Sequence, residues 1–557
     1  MNPSELETLF RQALALQQSG RLAEAAAQFE QLLAHAPGHP TLLTCAGIVA
    51  LQQGQLERAH ALLGQSLAIL PDQPEALLGR GVALQHLGQR DEALVCFDRA
   101  LALRPQYGEA HANRGSVLLS LKRYADALES CDRALALHPN MADALANRSV
   151  ALLELGRIDE ALESCDRAIA LQPEMAAYCS NRASVLQKLH RLDEALAAVD
   201  RALALNPRLV EAHSNRGCVL QALNRLEEAQ ASFERAIALN PGHAPAQFNK
   251  GLIHLLSGNF ADGWRQYEWR WQADSREFMR DFEVPLWLGQ VPLAGKTLLI
   301  HAEQGLGDFI QVCRYASVAA ARGARVILEV PAALRTLIGT LRGGFEVVTR
   351  GAALPPFDLH CPAMSLPLAF GTELGTVPAP VPYLYADPAM SRVWRDRLGA
   401  RSRPRVGLAW SGSAAHKNDH NRSLPFRLLE PWLGLPIDFH VLQPELPAAE
   451  RASLSAFANL SSHQGELRDF ADTAALIEQL DLVVAVDTAV AHLAGAMGKP
   501  VWILLPFAPD FRWMLNRADS PWYPSATLFR QSAPGDWSAV VAEVRSRLAR
   551  LPGQRAG

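Results

Sequence analysis

An α superhelix of paired helices followed by an α/β domain of two lobes is the fold class that this sequence predicts, and three observations carry it. Prolines recur with a 34-residue period, at 37, 71, 105, 139, 173, 207 and 241, each closing an apolar phrase such as LAILP or LALNP. Beyond residue 290, helical stripes give way to short apolar runs alternating with amphipathic stretches, the pattern of βα units and parallel sheets. Two of those runs end in small and polar residues, QGLGD at 304–308 and WSGS at 410–413, where a strand is expected to turn into a loop or helix.

Length and composition set the frame. A chain of 557 residues exceeds what one core can organise and should divide into about three or four units. With 49% hydrophobic and 20% charged residues it has enough apolar side chain to fill those cores. The formal net charge of -4, with no Lys/Arg run, offers no field for a phosphate backbone and excludes nucleic acid as a partner. The start, MNPSELETLF, carries Glu5 and Glu7 and does not read as a signal peptide. The most apolar stretch, Leu482 to Phe507, is broken by Asp487, His492 and Lys499 and does not read as a bilayer span, so a cytoplasmic chain is the expectation. The eight cysteines include no C-x-x-C pair, which points to buried small hydrophobes and to no metal site.

The 34-residue period belongs to the tetratricopeptide class, and each proline marks the end of a second helix. Ala25, Ala59, Ala93, Ala127, Ala161, Ala195 and Ala229 lie twelve residues before the prolines. Ala13, Gly47, Gly81, Gly115, Ser149, Ala183 and Gly217 lie twenty-four before, so both helices of a pair carry a small residue at the contact. An eighth unit, from Ala244, replaces the proline phrase with WRQYEWRW and reads as a cap whose Trp264, Tyr267, Trp269 and Trp271 seal the array. The repeats are expected over residues 1–277. On the first helices, Asn113, Asn147, Asn181, Asn215 and Asn249 recur at the same period and should form a ladder. A carboxamide both donates and accepts, so such a row can pair with the backbone of an extended peptide; it can also do no more than solvate the groove. Arg114, Arg148, Arg182 and Arg216 read as a solvated face paired with Asp98, Asp132, Asp166 and Asp200.

A linker over 278–295 leads to two Rossmann-like lobes, 296–390 and 391–557. Strands are expected at TLLIH, ARVILEV, FEVVTR and DLHCP in the first, and at RVGLAW, DFHVL, LDLVVAVDT and KPVWILLP in the second. Gly305 and Gly307 would serve a tight strand-to-helix turn. Asp487 and Thr488 end a strand and start a helix whose free N–H groups suit a diphosphate.

From Lys296 to Arg530 the sequence resembles the heptosyltransferase-type glycosyltransferases, family 9. The motifs are GLGDFIQ at 305–311, WSGS at 410–413, RSLP at 422–425 and, most specifically, DTAVAHLAGAMGKPVW at 487–502. The resemblance implies an inverting, metal-independent GT-B enzyme, with the acceptor on the first lobe, a nucleotide-diphosphate sugar as substrate on the second, and no cofactor. Repeats ahead of such a domain also look like the architecture of O-GlcNAc transferase. On this resemblance Asp308 is the expected base, or an N-cap, or both, and Arg422 the expected diphosphate clamp. Ser411, Gly412 and Ser413 would form a second phosphate-facing turn, with Lys417 nearby. Thr488 and Ala489 would face the diphosphate, His492 would touch it or pack, Asp487 would hold a sugar hydroxyl or orient Thr488, and Gln443 would meet the nucleobase or ribose. The family usually has Lys where Arg422 stands, so the donor pocket has diverged. The long segment 507–525 reads as a lid, an acceptor wall or packed aromatics.

The expected activity is transfer of a sugar to a protein or peptide recruited by the repeats. The alternatives are transfer to lipopolysaccharide or another surface glycan, a non-catalytic scaffold, or a nucleotide-sugar epimerase; self-association is left open.

Overall fold

The computed structural model describes residues 3–273, 279–378, 381–413, 418–446 and 448–551. Sixteen helices, from Pro3–Gln18 and Leu22–His35 to Ala244–Leu256 and Phe260–Tyr267, form eight antiparallel pairs among the described residues, followed by the short helix Arg270–Ala273. The chain divides into two compact units, Met1–Arg216 and Gly217–Gly557.

In the first unit each proline of the periodic series falls two residues beyond a second helix, as with Pro71 after Leu56–Ile69 and Pro105 after Arg90–Leu103. The small residues do what close helix approach requires. Ala25, Ala59, Ala93, Ala127, Ala161 and Ala195 are fully buried. A Cβ on Gly47 would stand 2.6 Å from Leu63, and one on Gly81 2.6 Å from Phe97. The large partner always lies sixteen residues on, and opposite Gly115 and Ser149 it shrinks to Cys131 and Cys165, so neighbouring pairs fill the same gap with different splits of volume. The arginine row pairs as expected: Arg114 with Asp98, Arg148 with Asp132, Arg182 with Asp166 and Arg216 with Asp200, at 2.6 to 2.8 Å.

The turn inside each pair carries a signal of its own. Gly20, Gly54, Gly88, Lys122, Gly156, His190, Asn224 and Gly258, each one repeat beyond the last, all have positive φ. This is the left-handed residue that closes a first helix, and at three positions it is not glycine.

The second unit opens with the last repeat helices and continues into two parallel sheets. β1 (Thr297–His301), β2 (Arg325–Val330), β3 (Glu346–Thr349) and β4 (Leu359–Pro362) lie in the order β3-β2-β1-β4. The linker covers the β4 edge: Leu286 bridges His360, and Trp287 N–H donates to the His360 carbonyl at 2.8 Å. β5 (Arg405–Ala409), β6 (Asp438–Val441), β7 (Leu460–Ser462), β8 (Leu482–Val486), β9 (Val501–Leu505) and β10 (Ala526–Arg530) lie in the order β10-β9-β8-β5-β6-β7. β5 and β8 are buried over their whole length and, Arg405 apart, wholly apolar, as a sheet covered on both faces demands. Val483 and Ala485 face one core, shared with the first lobe. Val484 and Val486 face another, with Trp410, Trp432 and Trp537.

The capping aromatics belong to this unit's core. Trp264 and Tyr267 are buried and meet Phe511 edge-on, each at 5.7 Å between ring centres, while Phe260 stacks on Trp522 at 6.3 Å. Trp269 and Trp271 are only half-buried.

Candidate functional site

In the second sheet the chain order reverses between β5 and β8, so the loops leaving these neighbours diverge and open a crevice at their carboxyl ends. Trp410, Ser411, Gly412 and Ser413 leave β5; Asp487 and Thr488 leave β8 and lead into the helix Ala489–Ala496. Thr488 is extended, with φ -140 and ψ 169, and its side chain caps nothing. Its Oγ1 is buried without a hydrogen-bond partner, beside helix N–H groups that have no partner inside the helix. A buried hydroxyl at a helix N-terminus is a place for an anion that accepts from both.

Arg422 ends the short helix Asp419–Arg422, and its Nη1 donates to the Asp487 carbonyl at 2.9 Å, which sets a guanidinium over the same crevice. Gly412 makes room for it. A Cβ there would collide with Arg422 Nη2 and stand 2.5 Å from Asp419 Oδ1, and Gly412 N–H donates to Ser423 Oγ at 3.0 Å. Gln443 is buried and faces inward. Its Oε1 accepts from Trp410 N–H at 2.7 Å and Ser411 N–H at 3.3 Å, and its Nε2 donates to Ser411 Oγ at 2.6 Å. The carboxamide expected at the nucleobase therefore holds the β5 loop in shape. Lys417 lies outside the described residues.

Asp487 is pushed up to about 7 by burial, with the negative charge of Asp510 adding to it against the pull of Arg512 and Arg422. A carboxyl held protonated up to neutral pH repels a neighbouring anion less than a carboxylate would. His492, four residues after Thr488, is buried: its Nδ1 lies 2.9 Å from Tyr523 OH and its ring stacks on Trp513 at 5.2 Å. Burial, with the guanidiniums of Arg512, Arg314 and Arg422 around it, drives its pKa well down, so the imidazole is neutral and packed.

The first lobe meets this helix through its glycine turn. A Cβ on Gly307 would stand 2.8 Å from His492 Cδ2 and 3.2 Å from Ala489 Cα, so glycine is what lets the helix Leu306–Val312 approach the head of Ala489–Ala496. Gly305, not Asp308, is the N-cap of this helix, which starts at Leu306 rather than Phe309; Asp308 is its third residue, and its Oδ2 accepts from Gly305 N–H at 2.8 Å, the reaching-back half of a capping box. Asp308 Oδ1 accepts from Arg512 Nη2 at 2.6 Å. Arg512 is buried and also donates to Gln311 Oε1 at 2.7 Å and Asp510 Oδ1 at 2.8 Å. Sequence reasoning missed Arg512, and its one signal was the density of arginine and aromatics in the segment 507–525. That segment is packed: Phe511, Trp513, Met514, Trp522 and Tyr523 are all buried.

In the first unit, Asn113, Asn147 and Asn181 line one cavity of about 430 Å³ with Glu109, Asp143 and Tyr178. Asn215 and Asn249 are not among its lining residues; the former donates to Ser180 Oγ at 2.9 Å and the latter to Cys218 Sγ at 3.3 Å.

Known proteins agree with the two-part reading. Residues 10–74, 44–94, 78–142, 118–183 and 210–243 match tetratricopeptide repeat models. Residues 465–512, which hold Asp487, Thr488, Ala489 and His492, match the model of glycosyltransferase family 9 (heptosyltransferase). GLGDFIQ, WSGS and RSLP lie outside that match. The chain thus carries tetratricopeptide repeats and, near its C-terminal end, a segment that matches the glycosyltransferase family 9 model and lies in an α/β region. Among individual proteins, it is 29% identical over 325 residues to Protein FlbA of Caulobacter vibrioides. The alignment covers 53% of each, so the chain spans about half the length of the curated relative it matches. Solved structures similar to it include a tetratricopeptide repeat protein from Parabacteroides merdae (20% identity, TM-score 0.37, 45% of this chain and 99% of that one). Another is the tetratricopeptide repeat protein TTC0263 from Thermus thermophilus (27% identity, TM-score 0.31, 33% of this chain and 100% of that one). No helix among the described residues is long and apolar enough to cross a membrane.

Proposed function

We propose that the chain is a glycosyltransferase that binds a nucleotide-diphosphate sugar in the crevice between β5 and β8 and transfers the sugar, with inversion and without a metal, to a protein or peptide recruited by the repeats. The observation that carries the reading is the unpartnered, buried Thr488 Oγ1 at the head of Ala489–Ala496, beneath the Arg422 guanidinium. Donors at the helix head and a cation above it are what a departing diphosphate needs as its charge grows. The neutral tendency of Asp487 removes repulsion at the same point and leaves its carboxyl able to donate to a sugar or phosphate oxygen. Asp308, on the first lobe's glycine turn, is the base in this scheme; to act, it must accept a proton while Arg512 holds one of its oxygens.

The test is thermal stabilisation of the protein by a panel of nucleoside diphosphates and their sugars, beside Arg422→Ala. A ligand at about 100 times its Kd adds roughly 2.7 kcal/mol. The reading expects a base-selective shift that Arg422→Ala loses, and absence of any shift with the whole panel overturns it.

One observation favours a second reading, a donor-binding scaffold without turnover: both Asp308 oxygens are engaged, by Gly305 N–H and by Arg512. Nucleotide release that needs an acceptor and is lost in Asp308→Asn supports the enzyme; donor binding with no release under any acceptor supports the scaffold.

A further inference from the structure

The cavity in the first unit has a chemistry that the asparagine row alone does not announce. It is lined by the first helices Gly108–Ser120, Ala142–Glu154 and Ala176–Lys188, and Glu109, Asp143, Asn113, Asn147, Tyr178 and Asn181 supply most of its polar groups. Glu109 and Asp143 each stand four residues before an asparagine, so carboxylate and carboxamide share one helix face. The acidic position repeats with the same period, as Glu75, Glu109, Asp143 and Glu211, with Ala177 the one break, and runs as a second row beside the asparagines. Glu75 is neutralised by Arg104, whereas Asp143 accepts a hydrogen bond from Tyr178 OH at 2.5 Å, which leaves the carboxylate its charge. Glu109 and Asp143 are exposed, and no lysine or arginine is among the lining residues. Met141 and Met175 give the wall an adaptable apolar part.

The carboxamides of Asn147 and Asn181 make no hydrogen bond to other described residues of the protein, whereas Asn113 Nδ2 donates to the Glu109 carbonyl at 2.8 Å. Two carboxamides with both donor and acceptor unspent, one repeat apart, suit the alternating N–H and C=O groups of an extended chain. Asp143, with no ion pair among the described residues, and Glu109, whose charge is shared only at a distance with Arg104, suit positive side chains on that chain, and the methylene stems of those side chains suit the two methionines.

We infer that this groove takes an extended, positively charged peptide segment, with Asn147 and Asn181 pairing to its backbone and Glu109 and Asp143 to its lysine or arginine side chains. The inference deepens the proposed function by giving the recruited protein a charge, yet it concerns binding in Met1–Arg216 and does not depend on sugar transfer.

The experiment measures binding of three fluorescent peptides of about twelve residues to the full chain: one with alternating Lys, one with Glu in those places, one with Gln. Expected is binding of the Lys peptide alone or by at least tenfold over the others, weakened by added salt. Glu109→Gln with Asp143→Asn should erase that preference, while Asn147→Ala with Asn181→Ala should weaken all peptides that bind. Circular dichroism melts of each variant separate loss of binding from loss of fold. Equal or tighter binding of the Glu or Gln peptide overturns the inference, as does failure of every peptide to bind. Nucleotide stabilisation measured on the same variants, and expected to be unchanged, reports separately on the α/β half.

Discussion

Asp487 is the residue whose charge state and position pull against each other. Its carboxyl is raised to about 7, so the folded protein holds that proton more tightly than the unfolded chain does, where Asp titrates near 3.9. The sign follows: this contribution to stability is complete below pH 4 and is lost as pH rises through 7. Asp487→Asn, which mimics the protonated form, should therefore gain in melting temperature over the parent as pH goes from 4 to 8. A difference that is flat with pH would show that the carboxyl titrates normally. Arg512 answers the same local field with the opposite charge, holding Asp308 and Asp510 by ion pairs at 2.6 and 2.8 Å while nearly excluded from water. Removing it strands carboxylates, so Arg512→Gln should cost about 3–5 kcal/mol in urea unfolding. Asp308→Asn in the same chain should return part of that, which a double-mutant cycle would read. The positions of Thr488 and of the Gly412 turn at strand ends were legible because helix heads and glycines after strands have a fixed meaning, whereas Arg422, at the end of a short helix, was singled out by the family resemblance alone. Arg512 was not, because a buried guanidinium in an irregular segment follows no period and is found only when Asp308 and Gln311, two hundred residues earlier, are brought beside it.

At the level of elements, the ends of the repeat helices are almost fixed by the sequence, because the periodic prolines and the small residues at twelve and twenty-four before them leave one register. β7 and β10 were not anticipated, being a three-residue edge strand and a run after the long aromatic segment. The left-handed turn series was present in the sequence and hidden by its exceptions. Lys122 takes a φ of 59 where most of its counterparts are glycine, and its side chain is exposed. Lys122→Gly should stabilise by about 0.5–1 kcal/mol in denaturant unfolding, since a side chain in that conformation crowds its own carbonyl. The same substitution at Asn224 should not, because Asn224 Nδ2 donates to the Phe507 carbonyl. The helix Leu306–Val312 offers the converse case. Gly307→Ala would press on His492 and Ala489 and should destabilise by roughly 1–3 kcal/mol, with a lower denaturant midpoint as the readout.

For the whole molecule, all 11 tryptophans lie from residue 264 onward, within Gly217–Gly557, so their fluorescence reports on that unit. Far-ultraviolet circular dichroism is dominated by the repeat helices. If the crevice binds a nucleoside diphosphate, the nucleotide should raise the midpoint seen by fluorescence and leave the earlier or later repeat component where it was. Equal movement of both would mean that the two units unfold together.

The eighth helix pair shares one core with the α/β lobes through Phe260, Trp264 and Tyr267. Within earlier pairs the small residue of the first helix meets a partner on the second helix of the same repeat, as Gly47 does with Leu63 and Gly81 with Phe97, while contacts such as Gly79 with Leu63 join each repeat to its neighbour. Such an array has one anchored end and a modular body. Whole repeats can be duplicated or lost from the body over evolutionary time, one helix pair at a step, while the anchored pair must vary in step with the lobes. Array length is then a trait that selection can tune separately from the chemistry of the crevice.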